Sequence, residues 1–185
     1  MTLLKIARLG HPVLLARARP VGDPTRPAIR RLARDMIETM LDAGGIGLAA
    51  PQVHAGIRLI VALPLADRAQ ERTVAPLVLV DPVVEPMGGE IEEAYEGCLS
   101  IPELRGLVPR AARVAWHGRD LAGRRIEGEA SGLFARILRH EIDHLDGILF
   151  PMRMHDLRTL AFASELHRRA AVPSDEFGPA SEEEP

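Results

Sequence analysis

Apolar residues between Pro27 and Gly45 recur every three or four positions, which places them on one face of a helix. They are Ile29, Leu32, Met36, Ile37, Met40 and Leu41. Proline is favoured in the first turn of a helix and glycine just after its end, so Pro27 and the Gly44-Gly45 pair indicate the limits. The pattern predicts an N-terminal amphipathic helix.

Segments rich in Ile, Val and Leu follow, separated by glycine or by polar residues, and these predict strands. The predicted strands are Ile57–Leu63, Pro76–Val84, Glu90–Tyr95, Ala112–His117 and Arg124–Ala130. The polar stretch Asp67–Arg72 is predicted to connect the first two. The stretch Ile101–Arg110 is interpreted as a linking stretch, and no strand is predicted there.

Helical spacing returns at Leu138, Ile142, Leu145 and Ile148, which predicts a helix over Gly132–Asp146 that ends at Gly147. Leu157–Ala170 is predicted to be a C-terminal helix. Several strands in succession followed by helices indicate the α+β class rather than a doubly wound sheet. We therefore expect antiparallel or mixed sheets packed around the second helix, with one helix towards each terminus.

The chain has 185 residues, a length that suits one domain with a real core. We expect a single catalytic domain over residues 1–171 and a disordered acidic tail over 172–185, where Pro, Gly, Ser and Glu leave little to bury. No apolar run approaches the ~18 residues that span a bilayer, so no membrane partner is expected. The net charge of −3 argues against DNA binding. One cysteine excludes an internal disulfide and suits a reducing cytoplasm.

The chemistry-bearing segment is His140-Glu141-Ile142-Asp143-His144. On a helix, two histidines four residues apart lie on one face and can bind one tetrahedral metal, with Glu141 placed to take a proton from water. Two further segments accompany it: Glu96-Gly97-Cys98-Leu99-Ser100, which holds the lone cysteine, and the glycine turn from Gly45 to Gln52.

Together, and in this order, the three segments resemble the peptide deformylase family over roughly residues 4–155. The resemblance implies a hydrolase that removes the N-formyl group from the initiator methionine of new polypeptides and releases formate. It also implies one divalent metal ion held by Cys98, His140 and His144. Iron(II) is the expected physiological ion, and zinc, nickel or cobalt could occupy the same site.

The same resemblance implies roles for further residues. Glu141 would act as general base and then as general acid, while the Gln52 side-chain amide and the Leu99 backbone N–H would stabilise the oxyanion. The expected substrate-binding residues are Gly45, Ile46, Gly47, Gly97, Arg105, Leu133 and Ile137, of which Ile46, Leu133 and Ile137 would form the methionine pocket.

Some alternatives stay open at this point. A zinc endopeptidase could use Glu165, 21 residues after His144, as its third ligand, but Cys98 and Gln52 would then have no role. A catalytically silent relative could bind ribosomes or nascent chains. Glu96 is expected to pair with Arg110 or to be solvated, and Asp143 to orient its neighbours or to face solvent. The chain is expected to be a monomer, with a ribosome contact through the basic residues 167–169.

Overall fold

The computed structural model describes residues 2–65 and 74–166. The predicted connection Asp67–Arg72 and the predicted tail 172–185 lie outside the described residues. Helix α1 is Pro27–Asp42 and helix α2 is Gly132–Leu145. The strands of the described chain are β1 Gly47–Ala49, β2 Leu59–Ala62, β3 Leu77–Pro86, β4 Ile91–Cys98, β5 Ile101–Ala111, β6 Arg113–Arg119, β7 Arg125–Ser131 and β8 Ala161–Phe162.

Two sheets contain these strands. The larger sheet has the order β1-β2-β3-β6-β7, and the smaller has the order β4-β5-β8. Neighbouring strands are antiparallel in both sheets. The predicted α+β class with antiparallel sheets is therefore confirmed. Within the described ranges, no helix is both long enough and apolar enough to cross a bilayer.

Three clusters of buried side chains hold these layers together. Helix α2 packs on the five-stranded sheet through residues that include Leu138 and Leu145, which cluster with Ile60 and Leu79. Met36 of α1 belongs to a second cluster on the same sheet. The third cluster lies against the small sheet and includes Ala7, Leu14, Cys98, Ile101, Val108, Leu149 and Phe150. The cysteine thus sits in the apolar layer between the small sheet and the N-terminal segment.

The N-terminal segment crosses two loops that carry candidate site residues. The Ala7 N–H donates to the Gln52 carbonyl at 2.7 Å, and the Leu9 N–H donates to the Ser100 carbonyl at 2.8 Å. Ala7 is almost fully buried. These main-chain bonds tie the chain's start to residues that lie 45 and 91 positions later.

Two sequence predictions need correction. Ile101–Arg110 is not a link, because Ile101–Ala111 forms β5, the middle strand of the small sheet. Prolines suit strands that lack a partner on one side. In the described chain β8 pairs only with Leu104 and Arg105, so Pro109 has a neighbouring strand on one side, in β4.

The predicted C-terminal helix starts too early. Leu157–Thr159 is a 3₁₀ turn in which the Asp156 carboxylate accepts the Arg158 N–H, and Ala161–Phe162 forms β8. Helical structure begins only at 163 and is described as far as 166. The rest of that prediction, 167–170, lies outside the described residues. A local side-chain cap and a strand pairing therefore outweigh the apolar periodicity here.

Gly147, which ends α2, provides a test of this packing. Its φ is +76°, and a Cβ there would lie 2.6 Å from the Leu15 carbonyl oxygen. Gly88 has a similar φ of +72°, but a Cβ there would meet no heavy atom within 4 Å apart from its chain neighbours. Gly88→Ala should lower the free energy of unfolding by about 1 kcal/mol through backbone strain alone. Gly147→Ala should cost at least about 2 kcal/mol, because overpacking adds to that strain.

Chemical denaturation of both variants at one pH measures the difference. Equal losses would show that Leu15 does not constrain the end of α2.

Candidate metal centre and active site

A tight hairpin positions the cysteine. Cys98 is the last residue of β4, and only Leu99 and Ser100 separate it from β5. The Ser100 N–H donates to Cys98 Sγ at 3.4 Å, so the turn holds the sulfur on its inner side. Cys98 is buried and has no disulfide partner.

Helix α2 supplies the two histidines from successive turns. The ring centroids of His140 and His144 lie 5.0 Å apart, and His144 Nε2 lies 3.1 Å from Cys98 Sγ. One ligand atom from each of the three residues falls within 4.8 Å of the others. The cysteine and both histidines therefore converge from the hairpin and the helix on a single point.

The three donors fit a divalent cation. A tetrahedral ion with bonds of about 2.0–2.3 Å keeps its ligand atoms roughly 3–4 Å apart, a spacing these atoms are close to. Three protein ligands leave a fourth position open, as in catalytic rather than structural sites. In the described part of the chain, this is the only group of three or more His, Cys, Asp or Glu residues that could hold a metal. Glu165, the ligand of the endopeptidase alternative, is not a member.

A carboxylate fixes the orientation of His140. Glu96 Oε2 lies 2.9 Å from His140 Nδ1, which leaves Nε2 of that ring as the atom for a metal. Metal-bound histidines commonly donate their second ring N–H in this way. Arg110 binds the same carboxylate with two donors, Nε to Oε1 at 2.9 Å and Nη2 to Oε2 at 3.0 Å. Glu96 therefore pairs with Arg110, and the solvated alternative is excluded by its burial.

Asp143 is buried as well, so it does not face solvent. Arg110 Nη1 donates to Asp143 Oδ2 at 2.5 Å, and Arg153 donates to both oxygens of Asp143, at 2.7 and 3.1 Å. Arg136 completes the cluster by donating to Glu96 Oε1 and to the Val108 carbonyl. We name Glu96, Arg110, Arg136, Asp143 and Arg153 the ionic cluster. Sequence reasoning found the Glu96–Arg110 pair but missed Arg136 and Arg153.

This environment determines the ionisation of Glu96 and Cys98. Burial opposes ionisation of Glu96, but hydrogen bonds from His140 and Arg110 outweigh it and lower its pKa to about 2. Burial likewise opposes ionisation of Cys98, yet the charge of His144 and hydrogen bonds with both histidines hold its pKa well below the usual range. The thiolate, which is the form that binds metals, is therefore favoured.

Glu141 lies beside the histidines in a different environment. It is 4% exposed, and burial raises its pKa to about 7. No group of the described residues hydrogen-bonds to its Oε2 atom. A Cβ at position 47 would overlap the other oxygen, so Gly47 is what lets the β1 backbone approach this carboxylate. The result is a buried carboxyl group with one oxygen available to a ligand.

Gln52 is fixed by its own turn. Its Oε1 accepts the Ala49 N–H at 2.8 Å, and its Nε2 lies 3.4 Å from Cys98 Sγ and 3.2 Å from Ser100 Oγ. The side chain is buried. The glycine turn therefore brings an amide N–H₂ group within hydrogen-bonding distance of the Cys98 sulfur. Ser100, which it also contacts, was missed because serine in a hairpin turn carries no signal of its own.

A cavity of about 310 Å³ opens onto this centre. Its lining includes Gly45, Ile46, Gly47, Gln52, Gly97, Cys98, Leu99, Arg105, Leu133, Ile137, His140 and Glu141. The lining thus contains every predicted site residue except His144, whose Nε2 lies 3.1 Å from Cys98 Sγ. The Arg105 guanidinium lies so close over Gly97 that a Cβ there would overlap it.

Comparison with known proteins identifies relatives of this architecture. A family model described as polypeptide deformylase matches residues 3–159. Peptide deformylase 2 of Bordetella bronchiseptica is 45% identical over 163 residues, which cover 87% of this chain and 93% of the relative.

Two solved structures are similar over nearly their whole length. A Met-Ala-Ser-bound class I type b peptide deformylase from Acinetobacter baumannii has a TM-score of 0.76 and 35% identity, covering 83% of this chain and 99% of that chain. Peptide deformylase from Thermotoga maritima has a TM-score of 0.77 and 33% identity, with 84% and 100% coverage.

The convergence of three donors predicts the effect of removing one. Cys98→Ala should lose most of its bound metal. Its affinity for the ion should fall by more than about 100-fold, because removing a ligand weakens binding more than removing a residue that only hydrogen-bonds to a ligand. His155→Ala, which changes an exposed histidine, is the matched control and should keep its metal. Elemental analysis of both purified variants measures metal per chain. Full occupancy in Cys98→Ala would remove this residue from the ligand set.

Proposed function

The chain belongs to the polypeptide deformylase family, whose members remove the N-formyl group from new polypeptides, and we propose that it does so with Cys98, His140 and His144 as metal ligands. Its substrates are peptides that begin with formylmethionine. The observation that carries the proposal is the convergence of one sulfur and two imidazoles at the cavity that Glu141 also lines. In this proposal α2 is the central helix that carries the HExxH motif.

When bound, a divalent cation lowers the pKa of a water molecule and polarises the formyl oxygen. The reaction adds the water oxygen to the formyl carbon and then breaks the bond from that carbon to nitrogen. Glu141 accepts the water proton through its unpaired oxygen and delivers it to the leaving nitrogen, so formate and a free amine result. Burial suits Glu141 to proton transfer, because it raises the pKa of this carboxyl group and so makes it a better proton acceptor than an exposed glutamate.

Negative charge develops on the formyl oxygen as the water adds. The Gln52 amide and the Leu99 backbone N–H are the donors that we assign to this charge. Gln52 is suited to this because the Ala49 N–H fixes its amide oxygen and thereby directs its N–H₂ group at the metal centre. A donor already fixed in the ground state costs no reorganisation during the reaction.

The cavity suits a peptide with an apolar first residue. We assign Ile46, Leu133 and Ile137 to the methionine side chain, because they line the cavity. We assign Gly45, Gly47 and Gly97 to main-chain contacts, and Arg105 to the peptide that follows. The similar protein from Acinetobacter baumannii has been crystallised with Met-Ala-Ser, which supports a peptide in the equivalent cavity here.

We propose Fe²⁺ as the physiological ion, and this choice rests on the family resemblance. A thiolate with two imidazoles also accepts Zn²⁺, Ni²⁺ or Co²⁺. We further propose that the chain is a cytoplasmic monomer that works near the ribosome exit. The limit of the catalytic domain at 171 stays a prediction, since it lies outside the described residues.

Glu141→Gln tests the proton carrier. Glutamine keeps the shape and can still hydrogen-bond, but it cannot accept the water proton. Turnover of formyl-Met-Ala-Ser should fall by about 10⁴-fold or more, the upper end of general-base contributions, because both proton transfers are lost. Metal content should stay near one per chain, unlike that of Cys98→Ala. Normal turnover, or loss of the metal, would remove Glu141 from this role.

Gln52→Ala tests the oxyanion donor. It should keep its metal, because Gln52 contacts the sulfur without being a ligand, and kcat should fall by about 10²–10³-fold. Formate release under anaerobic conditions, with metal analysis of the same sample, provides both values. A kcat equal to that of the wild type would refute the donor role.

Oxidation tests the identity of the ion. Protein purified with iron should lose activity in air, and peroxide should accelerate the loss by oxidising Fe²⁺ and the Cys98 thiolate. Protein reconstituted with Ni²⁺ or Co²⁺ should decay more slowly in a parallel time course. Iron-loaded protein that keeps constant activity for hours in peroxide would contradict the prediction.

A further inference from the structure

We infer that Ser100 is a positioning residue for the reaction, acting through the Gln52 amide; this inference rests on the donor role proposed for Gln52. Ser100 is completely buried, and all three of its polar groups are engaged. Its N–H donates to Cys98 Sγ, its carbonyl accepts the Leu9 N–H and its hydroxyl lies 3.2 Å from Gln52 Nε2. One residue thus touches both the sulfur ligand and the oxyanion donor.

The orientation of the Gln52 amide follows from its neighbours. A backbone N–H can only donate, so the atom that faces the Ala49 N–H at 2.8 Å must be the oxygen, Oε1. The nitrogen therefore points towards Cys98 and Ser100. Its two hydrogens have two acceptors, Cys98 Sγ at 3.4 Å and Ser100 Oγ at 3.2 Å. Both hydrogens of the Gln52 amide thus have an acceptor before any substrate binds.

These two hydrogens have different fates during the reaction. One N–H faces Cys98 Sγ and therefore points into the metal centre, where the formyl oxygen of a substrate would also lie, so this is the N–H that can donate to that oxygen. The other N–H stays on Ser100 Oγ. With Oε1 held by Ala49 and one N–H held by Ser100, the amide plane is fixed at both ends. Ser100 therefore keeps the reacting N–H aimed at the metal centre.

Removal of the Ser100 hydroxyl should make the orientation of the Gln52 amide less fixed without affecting metal binding. Ser100→Ala should retain about one metal per chain and a KM for formyl-Met-Ala-Ser close to that of the wild type. Its kcat should fall about 3- to 10-fold, the equivalent of one neutral hydrogen bond. Ser164→Ala, which alters an exposed serine, is the control and should match the wild type.

The double variant Ser100→Ala/Gln52→Ala separates positioning from a general structural effect. If Ser100 acts through Gln52, its removal should cost nothing further once Gln52 is absent. Suppose that Gln52→Ala lowers kcat as expected. If the kcat losses of the two single variants then add up in the double variant, or if Ser100→Ala loses its metal, the inference for Ser100 is refuted while the donor role of Gln52 stands. A normal kcat for Gln52→Ala would overturn both the donor role of Gln52 and this inference.

A crystal structure of metal-loaded wild-type protein with a peptide hydroxamate, whose oxygen takes the place of the oxyanion, tests the same point without a variant. Gln52 Nε2 should remain within 3.5 Å of Ser100 Oγ while its other N–H faces the hydroxamate. An amide rotated away from Ser100 would overturn the inference even if Ser100→Ala fails to fold.

Discussion

The site depends on how Arg110 is paired. Its side chain is 3% exposed and lies on β5, where it binds Glu96 of the neighbouring strand and Asp143 of α2. An unpaired charge in such a place costs several kcal/mol, and breaking a buried pair typically costs about 3–5 kcal/mol. The hairpin and the helix are therefore locked in one relative position. That position is the one in which Cys98 and the two histidines meet.

The pairing of Arg110 also fixes the orientation of His140 and the position of the turn that carries His144. Glu96 Oε2 holds His140 Nδ1, while Asp143, one residue before His144, is clamped by Arg110 and Arg153. Two carboxylates of the ionic cluster thus fix α2 at both of the turns that carry the histidines. Buried ion pairs are weak evidence for stability. Here their effect is geometric, since a polar cluster with every member satisfied permits few alternative packings.

Local sequence signals located α1, because its apolar periodicity and its terminal Pro and Gly residues agree. They failed for β5, since Pro102 and Pro109 contradict strand propensity and only the pairing with β4 and β8 resolves the conflict. The three convergent donors Cys98, His140 and His144 could be found from two of the three motifs. Arg153 and Arg136 could not, because partners of a buried acid lie far apart in sequence and are fixed by tertiary contacts. The same holds for Ser100, because its contacts with Gln52 and Cys98 appear only in the folded chain.

The bonds from Ala7 to Gln52 and from Leu9 to Ser100 have a consequence for how the chain matures during synthesis. Ala7 and Leu9 are made well before their partners, and His144 follows Cys98 by 46 residues. Contacts of such long range carry a high loop-closure cost and fold slowly. The three donors come together only after His144 has been made. Each newly made copy therefore lacks the three-donor site until His144 has emerged, so the binding of an ion can only follow that point.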